Sequence, residues 1–191
     1  MNICIYGASS DLIEKIYLDE SFSLGEKMAK RGHSLVFGGG AQGVMGACAR
    51  GTKQGGGKVI GVSPSFFNVD GVLYDKCDEL VYTETMRERK AIMEERADAF
   101  VIAPGGIGTY EEFYEILTLK QLARHNKAIV IFNIDGYYSK MIEALKEAED
   151  KNFIRPQTLD LYEVFDDPEK IVDYLEKYIP PQIDIVKTRG V

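Results

Sequence analysis

Ala99-Phe100-Val101-Ile102-Ala103-Pro104-Gly105-Gly106-Ile107-Gly108-Thr109-Tyr110-Glu111-Glu112 decides how this chain folds. Ala99 to Ala103 is a short uncharged run of the kind found in a strand buried on both faces of a parallel sheet. A proline and glycines then break the run, and a helical stretch from Tyr110 to Arg124 follows. Strand, glycine turn and helix form the repeating unit of a doubly wound α/β fold, whose ligands bind at the carboxyl ends of the strands.

The same unit repeats outward in both directions. Further strands are expected at Ile3 to Gly7, Ser34 to Phe37, Lys58 to Val62, Glu79 to Tyr82 and Ala128 to Phe132, with a short one near Leu161 to Val164. Helices are expected at Ser21 to Arg31, Val44 to Gln54, Met86 to Asp98, Tyr137 to Lys151 and Pro168 to Lys177. This is an α/β chain: a Rossmann-like, doubly wound, mainly parallel sheet flanked by helices, read as one domain over residues 1–191. Pro64 to Asp78 has no clear period and follows a strand, where it is placed to cover part of a pocket. From about residue 180, beginning at Pro180 and Pro181, a loose tail is expected.

Composition narrows the partners. Thirty acidic against 23 basic residues give a net charge of -7, so no general attraction to nucleic acid is expected. A small phosphate ester is still compatible, because backbone N–H groups and one or two cations suffice to hold it. Cys4, Cys48 and Cys77 are odd in number and lack C-x-x-C spacing, which fits a reduced, cytoplasmic chain rather than a disulfide framework or a cysteine zinc site. No apolar run approaches the roughly 20 residues that span a bilayer, so neither a signal peptide nor a membrane anchor is expected.

Small residues follow four strands: Gly7-Ala8-Ser9-Ser10, Gly38-Gly39-Gly40, Gly61-Val62-Ser63 and Gly105-Gly106-Ile107-Gly108. Gly38, Gly40 and Gly43 satisfy G-x-G-x-x-G, but the acid that would take the ribose hydroxyls of a dinucleotide is missing from Val59-Ile60-Gly61-Val62-Ser63. Pro104 to Thr109 is more informative. Residues without a Cβ let a phosphate approach the main chain, and the next helix supplies oriented N–H groups and the positive end of its dipole. The Walker pattern G-x-x-x-x-G-K-S/T is absent.

Thr109-Tyr110-Glu111-Glu112 has capping-box spacing, with Thr109 as the cap and Glu112 reaching back to it. The alternative aims Glu112 at the sugar of a bound nucleotide, with Glu115 on the same face as a supporting or solvated charge. Thr85-Met86-Arg87-Glu88 is a second capping box, and Arg87, Arg89 and Lys90 crowd the start of its helix. Cations there oppose the dipole by roughly 0.3 to 1 kcal/mol each, so something outside the helix selects them. Met86, Arg89, Lys90 and Met93 share one face, where the cations either snorkel over the core edge or serve a site. His33 and His125 read as ordinary end-of-helix residues.

Gly38-Gly39-Gly40-x-x-Gly43-x-Met45-Gly46, Met86-x-x-Arg89-Lys90 and Pro104-Gly105-Gly106-x-Gly108-Thr109-x-x-Glu112, in that order, resemble the LOG (Lonely Guy) family of cytokinin riboside 5'-monophosphate phosphoribohydrolases. The likeness continues through Asn133 to Tyr138 and Asn152-Phe153-Ile154. It implies hydrolysis of the N-glycosidic bond of AMP or an N6-prenylated AMP to free base and ribose 5-phosphate, without metal or organic cofactor, by a homodimer with sites near its interface. The helix from Tyr110 to Arg124 is a candidate for that interface. The resemblance makes Arg89 and Glu112 the catalytic pair. It puts Gly105, Gly106, Gly108 and Thr109 on the phosphate and Lys90 on the substrate, with Ser9, Gly39, Gly40, Met86 and Glu111 completing the candidate set.

The chemistry agrees with this assignment, since a carboxylate under the ribose stabilises the oxocarbenium character that C1'–N9 cleavage creates. A guanidinium does not readily give up its proton, so Arg89 is assigned to orientation and charge stabilisation, and the protonation of the departing base has no assigned residue. Two places depart from the family pattern. Arg87-Glu88 stands where many members have His-Gln or His-Glu, and the Pro64 to Asp78 loop, with Asp70 as a possible substrate contact, matches poorly. Members are often labelled lysine decarboxylases, a label that these residues do not support. A nucleotide N-glycosidase for another base, and a non-enzymatic nucleotide or cofactor carrier, stay open as alternatives on the same fold.

Overall fold

In the structure, a computed structural model, residues 1–183 are described. The tail expected from about residue 180 lies mostly outside these residues. Seven strands form one sheet: β1 Asn2–Tyr6, β2 Ser34–Phe37, β3 Val59–Pro64, β4 Glu79–Thr83, β5 Ala99–Ile102, β6 Ala128–Phe132 and β7 Glu163–Phe165. Their order is β4-β3-β2-β1-β5-β6-β7, and every pair of neighbours is parallel. The sheet expected to be mainly parallel is therefore parallel throughout.

The apolar runs have a simple cause. Alternate residues of a strand point to opposite faces, and both faces of this sheet are covered. Ile3, Ile5, Leu35, Phe37 and Val101 enter one core, and Cys4, Tyr6, Val36, Phe100 and Ile102 enter the other. The first core is closed by α1 Lys15–Lys30, α2 Gly43–Gln54 and α7 Pro168–Lys177, through residues such as Leu24, Met28, Val44 and Ile171. The second is closed by α3 Met86–Arg96, α4 Ile107–Gln121 and α5 Ser139–Asp150, through Met93, Phe113, Ile116 and Met141.

Several bounds shift by a few residues, β7 running Glu163–Phe165 rather than Leu161 to Val164 and α4 ending at Gln121 rather than Arg124, and three differences have a local cause. α1 begins at Lys15 rather than Ser21, because its buried residues start only at Ser21 and its first turns carry no buried face to read. α4 begins at Ile107 rather than Tyr110, taking Gly108 into its first turn. A short α6, Pro156–Leu159, opens on a proline at its first position, where the missing N–H costs nothing. Among the described residues no helix is long and apolar enough to cross a membrane.

The winding direction reverses at β1. From β1 the chain steps outward to β4, then returns to place β5 on the other side of β1. The loops leaving β1 and β5 thus flank the crevice where this class of sheet binds ligands. They are tied together where the Ala8 N–H donates to the Pro104 carbonyl at 2.9 Å.

α1 and α2 meet backbone to backbone. A Cβ on Gly25 would lie 2.2 Å from the Cys48 carbonyl oxygen, and one on Gly51 would lie 2.0 Å from that of Phe22. Alanine is the better helix former by about 1 kcal/mol, so propensity alone favours replacing both glycines. Overpacking decides the opposite sign: Gly25→Ala and Gly51→Ala are each expected to destabilise the protein by about 1 to 3 kcal/mol in urea unfolding. A stabilising result at either position would show that the two helices are free to move apart.

Candidate active site

Three helices, α2, α3 and α4, open near the crevice, and among the described residues only α4 has no side chain bonded to its first N–H groups. At α2, the Gly43 N–H donates to Asp11 Oδ1 at 2.7 Å, so a carboxylate of the protein already occupies that end. Gly43 itself has φ +63, and a Cβ there would lie 2.5 Å from the Ala8 carbonyl oxygen. The last glycine of the G-x-G-x-x-G pattern is therefore a structural requirement. At α4 the cap residue is Gly106, which has no side chain to satisfy the first turn. The first N–H groups of a helix have no intrahelical acceptor, and a phosphate is the anion they suit.

The capping box expected from Thr109 to Glu112 does not form. Gly106 takes the cap position in extended backbone, Thr109 falls inside the first turn, and the Glu112 side chain turns inward. There Arg89 Nη1 donates to Glu112 Oε1 at 2.9 Å. The other expected box is present: Thr85 Oγ1 accepts from the Glu88 N–H at 3.2 Å, and Glu88 Oε2 accepts from the Thr85 N–H at 3.4 Å.

Arg89 and Glu112 are only 7% and 8% exposed, which excludes snorkelling for Arg89. Arg89 Nε donates to the Val62 carbonyl at 3.3 Å, and its guanidinium lies directly over Gly38, where a Cβ would approach Nη2 to 2.0 Å. Burial pushes the Glu112 carboxyl above its ordinary value of 4.5, and the neighbouring Arg89 offsets that rise only in part. Lys90 pairs with Glu111 and, at 2.6 Å, with Glu115. Two of the three cations at the start of α3, Arg89 and Lys90, therefore have carboxylates on α4, which explains their unfavourable position in their own helix.

These groups surround a cavity of about 700 Å³. Of the candidate residues, Ser9, Gly40, Met86, Arg89, Gly106, Gly108, Thr109, Glu111 and Glu112 line it. Gly39, Gly105 and Lys90 do not. Gly39 has φ +80 and presents its carbonyl to the Tyr74 N–H at 2.8 Å. Gly105 is buried beneath the loop, where a Cβ would lie 2.1 Å from Thr109 Oγ1. From below, Tyr137 Oη donates to the Gly105 carbonyl at 2.7 Å and Tyr138 Oη to that of Ala103 at 2.8 Å. His33 and His125 stand away from the cavity, and burial lowers the His125 pKa to about 4, which keeps it neutral.

The Pro64 to Asp78 loop, expected to cover part of a pocket, forms the remaining wall through Phe67, Asp70, Gly71, Val72 and Leu73. Ser63, at the end of β3, adjoins it. The loop is pinned to the Gly38–Ala41 segment: the Ala41 N–H donates to Val72 O at 2.9 Å, and Gly40 bridges to Leu73. Such pairing between distant segments leaves no local period to detect.

A family model described as "Possible lysine decarboxylase" matches residues 45–175. A "Probable cytokinin riboside 5'-monophosphate phosphoribohydrolase" of Oryza sativa subsp. japonica is 34% identical over 96% of this chain and 75% of its own. A "Cytokinin riboside 5'-monophosphate phosphoribohydrolase" of Arabidopsis thaliana is 34% identical over 93% and 82%. Among solved structures, the molybdenum cofactor carrier protein of Chlamydomonas reinhardtii superposes with a TM-score of 0.71 at 22% identity, over 92% of this chain and 96% of that one. The molybdenum cofactor binding protein of Rippkaea orientalis gives 0.71 at 20%, over 92% and 94%. At those identities the likeness is one of fold.

The glycines of the loop separate into two kinds. A Cβ on Gly106 or Gly108 would meet nothing within 4 Å, and neither residue has positive φ, so the protein alone does not require glycine there. Gly106→Ala and Gly108→Ala are expected to leave the thermal midpoint nearly unchanged while weakening calorimetric binding of a nucleoside monophosphate by about tenfold or more, or about 1.4 kcal/mol. Unchanged binding in both variants would remove the phosphate from this loop.

Proposed function

The chain belongs to the LOG family, whose model carries the description "Possible lysine decarboxylase", and from that premise we propose that it hydrolyses the N-glycosidic bond of AMP or a cytokinin riboside 5'-monophosphate. One observation carries the proposal: a buried Arg89–Glu112 ion pair stands one turn beyond an uncapped helix N-terminus, in the same cavity. The phosphate sits against the first turn of α4 near Thr109, which puts the sugar over Glu112.

Breaking C1'–N9 sends the bonding electrons out with the base and leaves positive charge on the ribose. Glu112 stabilises that charge and takes a proton from the water that adds to C1', and the departing base takes up one proton from solvent, so that the net reaction consumes one water. Arg89 holds Oε1, and among the described residues no hydrogen bond engages Oε2, the oxygen left for this work. A carboxylate with a raised pKa is also the stronger base. Arg89 positions Glu112.

The decarboxylase description fits the site poorly. A pyridoxal phosphate mechanism needs a lysine amine beside the cofactor, and among the described residues no lysine lines this cavity. Lys90 is paired with Glu111 and Glu115, while Lys120 is buried against the Leu161 carbonyl and the Tyr178 hydroxyl. A pure carrier would need the phosphate loop alone, whereas burying a guanidinium and a carboxylate together is costly and calls for a use. We place the contact of the expected homodimer on α4, where Ile107 and Tyr114 are exposed.

Glu112→Gln keeps a hydrogen-bonding oxygen near Arg89 but removes the charge. It is expected to lower kcat for AMP or N6-isopentenyl-AMP by about 10² to 10⁴-fold with the circular dichroism spectrum unchanged. Full activity in this variant would rule the carboxylate out. The pH profile gives a second test. Glu112 acts as an anion and its pKa is raised, so activity is retained above that pKa and lost as pH falls through it, with the acid limb of kcat/KM above 4.5. A limb below 4.5 would assign the titration to another group.

A further inference from the structure

The cavity wall holds four ionisable side chains among the described residues: Asp70, Arg89, Glu111 and Glu112. Arg89 and Glu112 are paired with each other, and Glu111 is paired with Lys90. Asp70 makes no hydrogen bond or ion pair within the described chain, and the chemistry above gives it nothing to do.

Its position is nevertheless fixed. Asp70 occupies a tight turn in which the Val72 N–H donates to Val69 O at 3.0 Å and Gly71 has φ +78, the backbone state glycine supplies at the third turn position. The turn is tethered at its base by the bond from Ala41 N–H to Val72 O and the bridge from Gly40 to Leu73. Sheet order locates it relative to the rest of the site. α4 follows β5, the Arg89–Glu112 pair meets over Gly38 at the end of β2, and the Asp70 turn follows β3. β5 and β3 are three strand spacings apart, about 14 Å. That span suits an extended nucleoside monophosphate, with its phosphate at β5, its ribose in the middle and its base beneath the Asp70 turn.

We propose that Asp70 reads the base: its carboxylate accepts a hydrogen bond from the exocyclic N6–H of adenine. Phe67, Val72 and Leu73 supply the apolar surface beside it. A carboxylate accepts and cannot donate, so the lone pairs on O6 of a 6-oxopurine are repelled where an amino group is welcomed. An N6-monosubstituted adenine keeps one N–H and is accepted. An N6,N6-disubstituted adenine has none and is refused. A site built to receive an N–H discriminates strongly against an analogue lacking it, whereas an apolar wall alone discriminates weakly. This specificity role rests on the phosphoribohydrolase activity proposed above.

The test measures kcat/KM for AMP, IMP, N6-isopentenyl-AMP and N6,N6-dimethyl-AMP with the wild-type protein and Asp70→Asn. The side chain is exposed and unpartnered, so the variant is expected to keep the wild-type thermal midpoint. Wild type should favour AMP and the singly substituted nucleotide over IMP and the dimethyl compound. Asp70→Asn, which offers O6 an N–H donor, should lower the AMP to IMP ratio by about tenfold or more. An unchanged ratio in the variant, or equal wild-type rates for AMP and IMP, would overturn the role of Asp70 and leave the activity standing. Hydrolysis of none of the four by wild type would overturn the activity, and the base-reading role with it.

Discussion

The ion pair between Arg89 and Glu112 is the constraint around which the ligand-facing edge of this molecule is arranged. Two opposite charges less than a tenth exposed are expensive to remove from water, and their attraction repays that cost only when geometry and further hydrogen bonds are good. The surroundings meet those terms. Gly38 gives up its side chain so that the guanidinium can lie on the main chain, and the Val62 carbonyl takes a second N–H. The Thr85–Glu88 box fixes the start of α3, and Lys90 binds α3 to α4 through Glu111 and Glu115. Loss of any one of these would loosen a pair whose members come from different helices.

The parallel sheet makes this convergence possible. Reversal of the winding at β1 gathers the loops after β1, β2, β3 and β5 at one edge, and each contributes something different. The β1 loop, through Ala8, is hydrogen-bonded to Pro104 and receives Gly43. The β2 loop provides the floor beneath Arg89, the β3 loop builds the outer wall, and the β5 loop leaves a helix N-terminus uncapped. Asp11 closes the competing N-terminus of α2, which leaves that of α4 for the proposed phosphate. The proposed phosphate site accordingly calls for no basic surface on this acidic chain.

Much of this was visible in the residues. Central strands buried on both faces read as unbroken apolar runs, and β2 and β6 were bounded to the residue. Arg89 and Lys90 stood out because a helix does not favour cations at its start, and the structure supplies the missing carboxylates. Thr109 and Glu112 allow two readings, since capping-box spacing places a glutamate one turn from a threonine whichever way it points. Only the tertiary position of Arg89 decides between cap and site. The place of the Pro64 to Asp78 loop over the pocket is legible but its conformation is not, because backbone bonds to Gly39 and Ala41 hold it rather than any periodic face. The early start of α1 has a similar cause: its first turns bring only the partly buried Tyr17 to the core, too little for a periodic face.

If Arg89 works by positioning Glu112, the two residues form one catalytic unit, and a double-mutant cycle measures that directly. Turnover of AMP by Arg89→Ala, Glu112→Gln and the combined variant should show strong coupling, with the double variant falling little below the weaker of the two single variants. Losses that multiply, so that the free-energy costs simply add, would contradict the account by showing that each residue acts alone.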